Sequence, residues 1–168
     1  MMTDTLRYQG WTDPMALYLC QNMRASDAEE IFAQRDRVDP YGLFCDMRML
    51  RPASVWCDLV YPATAIQPVA IFGITLMSPG VGMAHMFGTD RLTLAQTRAI
   101  ATRIREIVIP EMLQMGLHRV EALSLNNYKW AHRFLKSAGA RPEGPPRLAV
   151  GKDRQDFQNF IWLDSWYK

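Results

Sequence analysis

The run "PVAIFGITL" (68–76) constrains this chain more than any other stretch. It carries no charge and is apolar at odd and even positions alike. Successive side chains of a strand point to opposite faces, so this run reads as a central strand covered on both sides. The fold must then supply a sheet with a layer on each face. The neighbouring segments agree. "SVWCDLVY" (54–61) is β-branched and aromatic, and a short connection, "PATAIQ", joins it to the central run. "VGMAHMFG" (81–88) follows the turn at Ser78–Gly80. These three strands form an antiparallel meander.

Helix signals flank the meander. Asp13-Pro14 and Asp39-Pro40 each place a capping residue before a proline suited to the first helical position. Ser26-x-x-Glu29 has the form of a capping box. Three helices are therefore expected after a short strand at 5–11, the third weakened by Gly42. The longest helix covers 93–116, where Ile100, Ile104, Ile107, Val108, Met112 and Met115 form one apolar stripe. Pro110 should kink it and Gly116 should end it. "HRVEALSL" (118–125) is a strand, followed by Asn126-Asn127 and a helix whose buried face runs from Trp130 to Ala138 and stops at Gly139. "RPEGPPR" (141–147) reads as a rigid loop, and 155–166 as a last alternating strand. The order predicts an α/β (α+β) fold: a mixed, mostly antiparallel twisted sheet with helices on both faces, in one domain spanning 1–168. Where the middle strand (68–76) and the 118–125 strand run parallel they must splay to admit a ligand, with the crevice at their carboxyl ends.

Composition narrows the functional classes. A formal charge of +2 supplies no broad basic field, so no nucleic-acid partner is expected. The apolar runs are too short to cross a bilayer, and "MMTDTLRYQG" lacks the layout of a secretory signal, which predicts a cytoplasmic chain. Cys20, Cys45 and Cys57 are scattered, with no metal-ligand spacing to a histidine, and read as reduced thiols.

The segments "MRASDAEEI" (23–31), "PVAIFGI" (68–74), "PGVGMAHMFGTD" (79–90) and "NNYKWAHRFLKSAGA" (126–140), in this order and spacing, resemble the GNAT acyltransferases, and within them a branch of GNAT-like proteins encoded by short-tailed phages. The resemblance implies a cofactor cleft for acetyl-CoA, with Gly88, Thr89, Asn126 and Asn127 as its cofactor-binding residues. It also marks departures. Active relatives carry an Arg/Gln-x-x-Gly-x-Gly/Ala turn before the long helix, whereas here Gly88 is the only glycine of 86–101. They place a tyrosine four residues before the glycine that ends the later helix, and that position is Leu135. Leucine cannot donate a proton, and Tyr128 lies about two turns away, where it packs with its hydroxyl at the surface. Free amides at 93–96 remain able to hold an anion. Glu121, Asp58 and His85 are strand-borne candidates for a base, none of them assigned, so no catalytic residue is named. Asn127 has an ordinary reading too, as the cap of the following helix.

Two classes follow from the resemblance. One is a GNAT-fold phage protein that no longer catalyses and works by contact with other virion proteins or with itself, in the particle or the host cytoplasm. The tryptophans and the C-terminal "WLDSWYK" would serve it as a docking surface. The other is a divergent acetyl-CoA-dependent N-acetyltransferase acting on a protein or small amine.

Overall fold

The computed structural model describes residues 5–167. Its centre is a seven-stranded sheet of order β1-β2-β3-β4-β5-β7-β6. The strands are β1 (Leu6–Gln9), β2 (Ser54–Pro62), β3 (Ala70–Ser78), β4 (Val81–Gly88), β5 (Arg119–Leu125), β6 (Arg141–Pro142) and β7 (Phe157–Leu163). All neighbours are antiparallel except β4 and β5. This is the mixed sheet that the sequence predicts.

Helices α1 (Asp13–Gln21), α2 (Ala25–Phe32) and α3 (Pro40–Met49) pack on one face, over Leu59, Ile71 and Phe87. On the other face lie α4 (Leu94–Arg103), α5 (Ile109–Gln114) and α6 (Lys129–Ser137), over Phe72, Ile74, Val120 and Phe160. The central run 70–74 is wholly buried, as a strand covered on both sides must be.

The local signals fared unequally. Asp39 caps α3 by accepting the Gly42 N–H at 2.9 Å. A Cβ on residue 42 would come within 2.5 Å of Asp39 Oδ2, so the glycine lets the cap close. The expected box at Ser26 and Glu29 does not form. Arg24 is the residue before α2, and it makes no side-chain cap. The first helix is entered from Thr12 without a capping side chain, while Asp13 accepts the Trp11 indole N–H at 2.7 Å. The long helix is broken where proline demands it. A π-helical turn at Ile104–Val108 lies between α4 and α5, directly before Pro110. Proline lacks an N–H and its ring crowds the carbonyl four residues back, and the widened turn gives it room.

Two readings at the C-terminal end need correction. The loop at 141–147 contains β6, which extends the sheet beyond β7. Strand β7 is buried on both faces rather than alternating, because β5 and β6 flank it and helices cover it. Trp162 therefore belongs to the core, with its indole N–H on the Ala138 carbonyl at 2.9 Å, and Trp166 lies under the Arg141 guanidinium. Trp162 is therefore not available for docking, whereas Trp166 is half-buried and Tyr167 exposed.

Candidate functional site

Strands β4 and β5 pair only from Val81–Arg119 to Met83–Glu121. Beyond that they diverge, each remaining paired along its length with its antiparallel neighbour, β3 or β7. The gap opens into a cavity of about 260 Å³ that passes through the sheet. α2 closes it on one face and α6 on the other, and its lining is largely apolar.

Two carboxylates from α2 enter this gap. Glu30 accepts the Ser124 hydroxyl at 2.6 Å and the Leu125 N–H at 2.8 Å. Burial pushes its carboxyl up to about 7, against the pull of those two hydrogen bonds. It is thus part proton acceptor and part proton donor at neutral pH. Asp27, one turn earlier, is a clasp. Its Oδ2 accepts the Gly88 N–H at 2.8 Å and the Arg24 Nε–H at 2.7 Å, and its Oδ1 accepts the Tyr128 hydroxyl at 3.0 Å. The Arg24 guanidinium lies 4.4 Å from the centre of the Trp130 ring. One buried carboxylate therefore ties β4, α2 and the start of α6 together.

His85 projects from β4 into the cavity. Its ring lies over Gly73, where a Cβ would come within 2.6 Å of Nε2. Surrounding protein lowers its imidazole below the ordinary 6.5, so it is neutral at pH 7. The ring stays accessible from the cavity, and water there softens that effect. The other sequence candidates for a base are elsewhere: Asp58 is paired with Arg103 at 2.9 Å and Glu121 with Arg119 at 2.5 Å.

The residues expected to bind cofactor lie at the rim. The Gly88 N–H is held by Asp27, and its carbonyl accepts the Arg24 N–H at 2.9 Å, extending an antiparallel bridge between Met23 and Thr89. A Cβ at Gly88 would meet Leu92 Cδ2 at 2.7 Å, so close packing explains the glycine. Thr89 is buried, with its N–H on the Val69 carbonyl and its hydroxyl accepting the Arg91 N–H. Asn126 and Asn127 form the turn between β5 and α6, closed by the Tyr128 N–H on the Leu125 carbonyl at 3.0 Å. Neither asparagine side chain has a partner among the described residues. The capping alternative for Asn127 is not realised, since Tyr128 precedes α6 and makes no side-chain cap.

Leu135 lines the cavity where a tyrosine would be expected. Tyr128 also lines it, rather than pointing its hydroxyl away. Burial pushes that hydroxyl up to about 12, which leaves it a poor acid.

A cofactor with a diphosphate needs donors at the entrance. At the start of α4, Thr93 and Gln96 cap each other, which corrects the expectation of free amides across 93–96. The Leu94 and Ala95 N–H groups, in the first turn of α4, have no partner among the described residues. Beside them a second groove, of about 460 Å³ between α4 and α6, carries Arg98 and Arg133. Among the described residues neither arginine has a carboxylate partner. Two open amides, two unpaired cations and an apolar cavity fit an acyl-CoA entering from the α4–α6 face. Among the described residues no cluster of three or more metal-ligating side chains occurs, and no helix is long and apolar enough to cross a membrane.

No family model matches the chain, and no curated protein matches it in sequence. Solved structures do match in shape. A GNAT-family acetyltransferase from Bacillus anthracis superposes with a TM-score of 0.72 at 12% identity, covering 98% of this chain and 98% of that one. A ribosomal-protein-alanine N-acetyltransferase from Brucella melitensis gives 0.70 at 13% identity, covering 94% and 99%. A spermidine N-acetyltransferase from Vibrio cholerae, solved with CoA and spermine, gives 0.69 at 11%, covering 96% and 97%. At such identities the likeness is one of backbone architecture, and it establishes that this chain has the GNAT acetyltransferase fold.

Proposed function

We propose that the protein is an acyl-CoA-dependent N-acyltransferase acting on an amine. The observation that carries this reading is Glu30: a carboxyl set in the splay between β4 and β5, with a proton affinity near neutrality. Acyl-CoA, when bound, supplies an acyl group activated as a thioester. Arg98, Arg133 and the Leu94 and Ala95 amides would hold its phosphates at the groove between α4 and α6. Glu30 takes the proton that the amine gives up as the carbon–nitrogen bond forms and the carbon–sulfur bond breaks. By strand alternation the Met86 N–H points into the same gap as the Gly88 N–H, and it is placed to donate to a carbonyl oxygen there. With leucine at 135, α6 supplies no acid, so turnover is expected to be slow.

The test is acetyl transfer by the purified chain, followed by thiol release. Glu30→Gln should lower the rate by about 10²-fold, the usual scale for losing a general base. An unchanged rate in a folded Glu30→Gln protein would remove Glu30 from the reaction.

A second reading rests on the clasp and on Leu135. The Gly88 backbone is engaged by Arg24 and Asp27, and no tyrosine stands at 135, as expected of a chain that has kept the fold for its surface. In that reading the protein is a GNAT-fold component of a short-tailed phage, in contact with other virion proteins or a second copy of itself. Its recovery from purified particles, with no acyl transfer in vitro, would favour this reading over the first.

A further inference from the structure

We infer that the acceptor side of the cavity takes a primary amine borne on an aliphatic or aromatic group, and rejects polyamines and lysine-rich peptides. The inference names the acceptor for the acyltransferase reading and rests on it, although amine binding is measurable without acyl-CoA. The two sides of the cavity differ in charge. Arg98, Arg133 and the free α4 amides all lie on the α4–α6 face, which assigns that face to an anionic ligand. The amine must then come past α2, on the opposite face.

The walls on that face are apolar. Ile31 on α2, Met83 on β4, Leu123 on β5 and Phe157 on β7 all line the cavity, and Leu123 and Phe157 pack in one cluster with Ala33, just after α2. Charge there is nearly exhausted. Asp27 already accepts from Gly88, Tyr128 and Arg24, which leaves one lone-pair site and a charge that the Arg24 guanidinium already balances. Arg24 covers the Trp130 face that would otherwise attract a cation, and its own positive charge repels one. Of the two carboxylates that line the cavity, Glu30 is the one without a cation bonded to it, and its partners are a hydroxyl and an amide. Such a site recognises one amine. A second ammonium would be stranded against Ile31 or Leu123 without a counter-charge, at a desolvation cost that no contact there offsets.

The experiment is methyl NMR of the full chain, labelled at isoleucine and methionine, titrated at pH 7.5 with phenethylamine, hexylamine and spermidine. The expected result is a saturable shift of the Ile31 and Met83 methyl signals with the two monoamines. Spermidine should bind at least about tenfold more weakly, equivalent to 1.4 kcal/mol. Glu30→Gln, and independently Ile31→Gln, should each weaken phenethylamine binding by a similar factor. Equal or tighter binding of spermidine at these methyls would overturn the inference, and so would monoamines that leave them unmoved. Acetyl-CoA added to the same samples separates the two ideas. Monoamine binding without an acetyl-CoA response keeps this site and removes the transferase, and the reverse pattern keeps the transferase and removes this acceptor class.

Discussion

Glu30 has a consequence for stability as well as for chemistry. Its folded carboxyl titrates near 7 because it is buried, against 4.5 for an ordinary glutamate. Between those values the unfolded chain has released the proton while the folded chain retains it. The unfolded state then binds fewer protons, so stability falls as pH rises through this interval. The whole interval corresponds to roughly 3 kcal/mol. Glu30→Gln removes the slope, and thermal melts at pH 5 and pH 8 should show the wild type losing several degrees relative to the variant. Parallel melting curves for the two proteins would mean that Glu30 is not held as described. Nothing in the sequence marked this residue. A glutamate beside another glutamate on a helix reads as solvated surface, and the strand carboxylates Asp58 and Glu121 drew attention instead. They proved to be paired with arginines. The signal that was present is spacing: Arg24, Asp27, Ile31 and Gln34 recur on one helix face, and all line the cavity with Glu30.

At the scale of elements, α2 is the part that turns a sheet into a site. Its first turn bonds to the end of β4, and its carboxylates reach β5 and α6. Asp27→Ala should leave the Gly88 N–H and the Arg24 guanidinium without their carboxylate, while the Tyr128 hydroxyl keeps Ser26, and cost about 2–4 kcal/mol, read by urea unfolding. The Gly88 amide should also exchange with solvent at least about tenfold faster in that variant than in wild type. Unchanged exchange would show that the backbone bridge at Met23–Thr89 holds α2 alone. The elements themselves were largely legible, because strand 81–88 and the cap at Asp39 follow from local chemistry. The box at Ser26 and Glu29 misled for a reason that sequence does not display. The α2 residues 26, 27 and 30 turn their oxygens toward Tyr128, Gly88 and Ser124, and these tertiary partners outcompete a local cap. Strand β6 was illegible because two residues with a proline carry no strand period, and only the register of β7 creates it.

For the whole molecule, the splay of β4 from β5 decides what the fold can do. It makes a passage through the sheet with opposite chemistry at its two ends: amides and arginines on the α4–α6 face, the Glu30 carboxyl on the α2 face. A passage was foreseeable from strand order, although it opens beside the third strand of the meander, β4, and not beside the middle strand, which pairs with β2 and β4. Its contents were not, because they come from α2, some 50 residues or more before β4 and β5 in the chain. The phosphate entrance departs from the family pattern, and an altered entrance is compatible with either an altered enzyme or a retained shell. Calorimetric titration of the full chain with acetyl-CoA, and with CoA alone, tests this most directly. The account predicts a saturable heat for acetyl-CoA with a Kd in the micromolar range, about −8 kcal/mol, weakened when Arg98 and Arg133 are both replaced by glutamine. No heat and no thermal stabilisation at millimolar acetyl-CoA would contradict it, and would leave a fold kept for its surface.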